Sequence, residues 1–129
     1  MRFLILDFSS EKPIYLQLAE AIEDDILKGI FEEETQVVST TQISVNFKIN
    51  PATAGKGINL LVDEGIIYKK RGLGMFVASN AKEIIINKRK DQTLKQLVVE
   101  IVMEAERLEV SIEELIQMIR DANKREAGE

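Results

Sequence analysis

Residues 47–57 have the sequence FKINPATAGKG, which combines a helix-start signal with two glycines. Asn50 followed by Pro51 marks a helix start, because Asn accepts hydrogen bonds from free backbone N–H groups and Pro has no N–H to leave unsatisfied. The helix that follows is expected to expose a face almost without bulk, made of Ala52, Thr53, Gly55, Lys56 and Gly57. Such a face allows another surface to approach closely.

A short helix is predicted immediately before this start. Ser39 or Thr40 can cap it, and Ile43 and Phe47 form its apolar side. Two short helices joined by a tight turn form a helix-turn-helix. The apolar residues of the helix after Asn50 that should face the core are Ala54, Ile58 and Leu61.

The flanking segments complete a small domain. An amphipathic helix is predicted between Pro13 and Gly29, with apolar residues at helical spacing at Ile14, Leu18, Ala19, Ile22 and Ile26. After the helix-turn-helix, the runs IIYKK and MFVA flank the tight turn RGLG. Two β-rich runs around a glycine-containing turn predict a small hairpin.

The end of the chain carries a second apolar pattern. One helical stripe is followed by a capping box, Ser111 with Glu114, that opens another helix. Two helices in roughly 50 residues have too little interior to bury both stripes, so we expect a partner chain to cover them. The alternative is that the stripes fold back on the first helices of the same chain. The expected dimerisation residues are Leu94, Leu97, Val98, Ile101, Ala105, Leu108, Leu115 and Ile119.

Length and composition limit the class of protein. A chain of 129 residues with 45% apolar content suits one ordinary domain, or one small domain with an appendage. The opening MRFLILDF is too short for a secretory core and no run is long enough to span a membrane, so a cytoplasmic protein is expected. Because the chain has no Cys and no His, it lacks thiolate and imidazole chemistry and the usual zinc ligands.

The charge is unevenly distributed along the chain. Residues 1–35 carry a net charge of −6, residues 36–90 carry +6 and residues 91–129 carry −5. The segment with the helix-turn-helix and the hairpin is therefore the one suited to a polyanion. Ordinary variation in a charged surface is the alternative interpretation of this pattern.

Two glycine-containing motifs do not support nucleotide chemistry. In AGKG, Lys56 is followed by Gly57 where a phosphate-binding loop needs Ser or Thr. RGLG lies between strands and does not open a helix, unlike a dinucleotide fingerprint. As a hairpin tip it instead places Lys69, Lys70 and Arg71 on or beside a turn that can approach a surface closely.

Taken together, these pieces resemble the winged-helix DNA-binding domain of the GntR family of bacterial transcription regulators. The resemblance covers about residues 12–79 and is carried by KPIYLQLAEAI, ILKGIF, VVSTTQIS, INPATAGKGINLLVDEGII and KKRGLGMFV. It implies a mainly α fold with a small β-hairpin wing: an N-terminal arm at 1–11, the winged helix-turn-helix at 12–79 and a tail at 80–129. The tail is similar to the two-helix dimerisation tail of the YtrA-like branch, whose regulators commonly govern transporter operons.

The resemblance implies a dimeric regulator, with repression expected, that binds a palindromic operator in double-stranded DNA. The helix opened by Asn50 would enter the major groove and the wing would follow the backbone or minor groove. No catalytic residue, metal, cofactor or membrane partner is expected, and the sequence does not show whether the protein responds to an effector. The residues expected to contact DNA are Ser39, Thr41, Gln42, Asn50, Pro51, Thr53, Lys56, Lys70, Arg71 and Gly72.

One departure from the family pattern affects the expected DNA sequence. Family members typically have Leu-Pro-Ser-x-Arg before the recognition helix, whereas residues 37–41 here are Val-Val-Ser-Thr-Thr. The Arg that would grip guanine is replaced by Thr41, so the operator need not follow the family's usual pattern. Two rival hypotheses remain at this stage, a winged helix that binds protein and a small enzyme.

Overall fold

The computed structural model describes residues 6–126. The chain forms two compact units, which divide between Asn87 and Lys88. The predicted mainly helical fold with a small hairpin is confirmed, while residues 1–5 of the predicted N-terminal arm lie outside the described residues. The elements are α1 (Ile14–Leu27), α2 (Thr40–Phe47), α3 (Pro51–Asp63), β1 (Ile67–Lys70), β2 (Gly74–Val77), α4 (Ala81–Arg89), α5 (Lys95–Arg107) and α6 (Ile112–Glu126), with a π-helical turn at Lys90–Leu94.

The packing of α1 against α3 forms the centre of the first unit. The apolar stripe predicted for α1 is buried from Leu18 to Ile26, and on α3 Ala54, Ile58 and Leu61 are buried as predicted. Each fully buried Leu or Ile side chain contributes about 1.5–3 kcal/mol relative to an exposed one. These contacts therefore hold α3 against α1.

Gly57 marks the closest approach of the two helices, and its predicted exposure to solvent is wrong. The residue is buried, and a Cβ built on it would lie 2.9 Å from the carbonyl oxygen of Tyr15 and 3.1 Å from Cδ2 of Leu18. No side chain fits there without displacing the backbone of α1. Close helix packing is the physical reason for a glycine at this position.

The helix-turn-helix is fixed by caps at both of its helices. Ser39 caps α2 in a reciprocal box: its Oγ accepts from the Gln42 N–H at 3.1 Å, and the Gln42 side chain accepts from the Ser39 N–H at 3.2 Å. Lys48 ends α2 in the left-handed conformation, with φ of 53°. Asn50 then caps α3, as predicted, through its Oδ1, which accepts from the Ala52 N–H at 2.7 Å.

The wing is the predicted antiparallel hairpin, extended by a segment that the sequence did not reveal. Strand β1 pairs with β2 in the register Ile67 to Val77 through Lys70 to Gly74. On the outer edge of β2, the Val37 N–H donates to the Met75 carbonyl and the Val77 N–H donates to the Thr35 carbonyl, both at 2.9 Å. The chain entering α2 is thus bound to the wing.

Helix α4 was not predicted. Its residues Ala81 and Ile85 are fully buried in the core cluster of the first unit. The observed division after Asn87 therefore differs from the predicted boundary at residue 80 by most of this helix.

The second unit contains α5 and α6. The Ser111 Oγ accepts from the Glu114 N–H at 3.1 Å, which gives the predicted cap at the start of α6. Of the described residues of this unit, the buried ones are Ala105 and Leu115, which leaves most of its apolar side chains in solvent. Within residues 6–126, no helix combines the length and apolar content that a bilayer span requires.

Candidate nucleic-acid interface

The exposed face of α3 runs the length of the helix. Ala52, Lys56, Asn59 and Asp63 are exposed and recur at intervals of three or four residues, with half-buried Gly55 between them. Asn50 and Pro51 are exposed at its N-terminus, where the first backbone N–H groups favour an anion such as a phosphate. The cap uses the Oδ1 of the Asn50 amide, so its NH₂ group remains for another partner.

Gly55 differs from Gly57 in what surrounds it. A Cβ built at Gly55 would meet Cγ2 of Thr40 at 3.9 Å, an ordinary van der Waals contact. Packing within the protein therefore does not require a glycine at this position. Helix propensity disfavours it by about 1 kcal/mol relative to Ala, so its presence is consistent with an external surface that approaches α3.

The start of α2 lies beside this face. Thr41 is exposed and its side chain faces solvent, whereas Ser39 and Gln42 form the capping box. The Ser39 hydroxyl hydrogen and the Gln42 NH₂ group can still donate to a phosphate, because the box uses their oxygen atoms as acceptors. Thr53, the remaining residue expected on DNA from α3, is half-buried.

A groove joins the start of α2, the middle of α3 and the inner face of the wing. It has a volume of about 450 Å³, and Ser39 and Thr41 line it together with four polar residues that were not among the expected DNA contacts: Gln36, Thr40, Asn59 and Lys69. Helical spacing could have placed Asn59 on this face, because it lies one turn after Gly55. Strand alternation could have shown that Lys69 and Lys70 lie on opposite faces of the wing, because neighbouring residues of a strand point to opposite faces.

The tip of the wing is basic and its backbone is held in place. Arg71 and Gly72 are exposed, and Gly72 has φ of 79°, a conformation that favours glycine. The Leu73 carbonyl accepts from the Gln36 side chain at 2.7 Å, while the Leu73 N–H donates to the Lys70 carbonyl at 2.9 Å. The turn is therefore anchored both to β1 and to the segment before α2.

Two of the expected DNA-contacting lysines lie over aromatic rings. The Nζ atom of Lys56 is 4.2 Å from the centroid of the Tyr15 ring, and that of Lys70 is 4.3 Å from the centroid of Phe76. Distances below about 6 Å correspond to cation–π contact. Both ammonium groups thus have defined positions at the edges of the α3 face and of the wing.

The residues expected to mediate dimerisation fall into two groups. Ala105 and Leu115 are 6% and 9% exposed and line one apolar crevice between α5 and α6. The other six are between 45% and 64% exposed: Leu94, Leu97, Val98, Ile101, Leu108 and Ile119. Further exposed apolar residues not expected in that role are Val99, Met103, Ile112, Ile116 and Met118. We refer to these eleven exposed side chains as the tail apolar surface.

Comparison with known proteins gives a consistent result. No family model matches the chain. The chain is 28% identical over 116 residues to the HTH-type transcriptional repressor YtrA of Bacillus subtilis (strain 168), covering 90% of this chain and 88% of YtrA. It is 39% identical to the crystal structure of a transcriptional regulator described as GntR family, from Bacteroides thetaiotaomicron, with a TM-score of 0.73 and coverage of 88% of this chain and 98% of that one.

A third comparison concerns a protein solved with DNA. The DNA-binding domain of AraR in complex with operator ORX1 is 26% identical, with a TM-score of 0.54, and its whole length matches 60% of this chain. That similarity covers a part of the chain comparable in size to the winged helix-turn-helix.

Proposed function

The chain belongs to the GntR family of transcription regulators, and from that premise we propose that it represses transcription by binding a palindromic operator as a homodimer. Its relatives are regulators and not enzymes. In this proposal α3 enters the major groove from its Asn50 end, the start of α2 lies against the backbone, and the tip of the wing contacts the adjoining backbone or minor groove. The proposed site of action is the cytoplasm.

The groove that joins α2, α3 and the wing is the observation that carries this proposal. Three separate segments of the chain present Ser39, Thr41, Asn59 and Lys69 to one concave surface. The helix-turn-helix and wing that form it, residues 36–79, carry five basic and two acidic residues, a net charge of +3, in a chain whose total charge is −5. A duplex backbone is the polyanion that such a surface fits, since its affinity for protein arises largely from phosphate neutralisation.

A salt series tests the DNA contact of α3. We expect Lys56→Ala to weaken binding to a duplex and to reduce the slope of log affinity against log salt by about 1 per subunit, because one phosphate contact is lost. Lys28→Ala is the matched control. Lys28 is an exposed lysine at the other end of α1 from Tyr15, about 20 Å along the helix at 1.5 Å per residue. Equal slopes for wild type and both variants in fluorescence anisotropy would contradict the proposed contact.

The tail apolar surface supports the proposed homodimer. Its side chains lie on α5 and its C-cap, on α6 and on the π-helical turn before α5, in a unit whose described residues bury Ala105 and Leu115 alone. So small a unit cannot be stable with this much apolar area in water, and contiguous exposed apolar patches usually mark an interaction surface. A two-fold dimer would also place two recognition helices at half-sites about 34–36 Å apart, as a palindrome requires.

Sedimentation tests the dimer directly. The expected result is a mass of two chains at micromolar concentration, without DNA. A monomer that nevertheless binds a complete palindrome tightly would contradict the proposal. On the resemblance to the YtrA-like branch, we also propose a transporter operon as the target, to be tested by transcript levels in a strain that lacks the gene.

A further inference from the structure

We propose that Tyr15 and Phe76 are positioning residues for DNA binding, which hold the Lys56 and Lys70 ammonium groups ready for phosphate without neutralising them. This inference rests on the proposed function. The ammonium groups lie 4.2 Å from the Tyr15 centroid and 4.3 Å from the Phe76 centroid. A flexible lysine side chain must otherwise be ordered when the complex forms, at a cost in conformational entropy.

The type of partner distinguishes Lys56 and Lys70 from Lys12 and Lys95. Lys12 pairs with Glu20 at 2.9 Å, and Lys95 lies 3.9 Å from the Asp91 carboxylate. In the described part of the chain, neither Lys56 nor Lys70 forms an ion pair. A carboxylate would compete with phosphate and cancel the charge. A ring face attracts the ammonium through its quadrupole and leaves the charge and its N–H donors available.

The position of Tyr15 follows from the crossing of α1 and α3. Its carbonyl oxygen is the atom that a Cβ at Gly57 would approach to 2.9 Å. Because the backbone of α1 is pressed against α3 at this point, the Tyr15 ring is fixed beside the next exposed residue of α3, which is Lys56. Gly57, which allows α1 and α3 to cross closely, therefore also determines the position of the Tyr15 ring.

The position of Phe76 follows from the register of the hairpin. Phe76 is directly opposite Tyr68, and Lys70 is two residues beyond Tyr68 on the same face of β1. The partner of Lys70 is Gly74, which has no side chain. The Lys70 stem can therefore lean diagonally across the gap to the Phe76 ring, as diagonal neighbours in a hairpin do for long side chains.

A double-mutant cycle on Tyr15 and Lys56 separates positioning from ordinary packing. We expect Tyr15→Leu to weaken duplex binding about two- to five-fold per subunit, the lower part of the cost of ordering one long side chain on binding, and Tyr15→Phe to bind as wild type. The salt slope of Tyr15→Leu should stay at the wild-type value, because the Lys56 charge is still present. In a Lys56→Ala background, Tyr15→Leu should have no further effect.

The possible results are distinct. If Lys56→Ala binds DNA as wild type, the proposed contact fails and this inference falls with it. If Lys56→Ala weakens binding but Tyr15→Leu does not, the inference alone is overturned. An equal loss from Tyr15→Leu in both backgrounds would show a structural role and would also overturn it. The parallel cycle uses Phe76→Leu, Phe76→Tyr and Lys70→Ala.

A measurement on the wild-type protein does not depend on the folding of any variant. A lysine ammonium over a ring places the adjacent CH₂ protons in the shielding region of that ring. In the free protein we expect the Lys56 and Lys70 ε-CH₂ proton resonances to be shifted upfield relative to that of exposed Lys28. Resonances at the ordinary lysine position would overturn the proposal.

Discussion

Gly55 and Gly57 lie two residues apart on the recognition helix, and their replacement by alanine should have opposite effects. At Gly55 the added methyl would meet only Cγ2 of Thr40, at 3.9 Å. Alanine should then stabilise the helix by about 0.5–1 kcal/mol, since glycine loses more conformational entropy on folding. For a domain of this size the thermal midpoint should rise by about 2–8 °C.

At Gly57 the added methyl has no room. It would be 2.9 Å from the Tyr15 carbonyl oxygen, a backbone atom, and 3.1 Å from Cδ2 of Leu18. Overpacking of this kind costs about 1–3 kcal/mol and outweighs the gain in propensity, so Gly57→Ala should destabilise the domain by about 1–2 kcal/mol.

For Gly55→Ala, the expected effect on DNA affinity is opposite in sign to the expected effect on stability. If the duplex approaches α3 as proposed, the Gly55→Ala methyl lies in the contact and should weaken binding by about 1–3 kcal/mol per subunit while the free protein becomes more stable. Urea unfolding and anisotropy with one duplex measure both quantities on the same samples. Equal stabilisation by the two alanines would refute the packing argument for Gly57. A stabilised Gly55→Ala protein with wild-type affinity would refute the close approach of DNA to this helix.

Three further predictions concern the dimer, the wing and the start of α2. Replacing Leu97 and Ile101 together by Asp should give monomers in sedimentation and reduce palindrome affinity by about 10²–10⁴, because the half-sites are then bound singly; dimers would contradict it. Lys70→Ala and Arg71→Ala should each flatten the salt slope by about 1 per subunit with little change in sequence preference, and an unchanged slope would place the wing off the DNA. Thr41→Arg should steepen the slope by about 1 per subunit and favour guanine at the facing position by about 1–3 kcal/mol; no change would place residue 41 off the DNA.

The local signals of the first unit were sufficient to predict most of its fold. The Asn50 cap, the Pro51 start and the Ser39 cap are formed by residues close to one another in sequence, so their side-chain chemistry alone indicates them. The resemblance to the GntR family added the arrangement of these helices around a wing, which no local signal provides.

The features that were missed depend on contacts distant in sequence. Residues 35–37 pair with β2, which follows the helix-turn-helix in the sequence. Nothing near Gln36 indicates a strand. Helix α4 was missed because Ile84, Ile85 and Ile86 are consecutive β-branched residues, a run with no helical period. Burial of Ile85 in the core favours the helix over this intrinsic preference.

The sequence indicated which residue types would form the candidate site, but it did not indicate towards which surface each side chain points. Lys69 and Lys70 are equivalent in the sequence, yet the register places Lys69 in the groove and Lys70 on the opposite face, over Phe76. Similarly, Gly55 and Gly57 look alike until the position of α1 shows which of them is in contact with it. These distinctions depend on which element packs against a residue, and that information is not local.

In the tail, helical spacing identifies the apolar residues but does not show what covers them. Helical spacing selects Ala105 and Leu115 together with Leu97 and Ile101, but the first two are buried within the chain and the latter two are exposed. The charge of the segment narrows the choice of partner, because residues 91–129 carry −5 and would be repelled by a duplex. A protein surface with a matching apolar stripe is favoured instead. A second copy of the chain has such a stripe and, through two-fold symmetry, would present two copies of α3 to one palindrome.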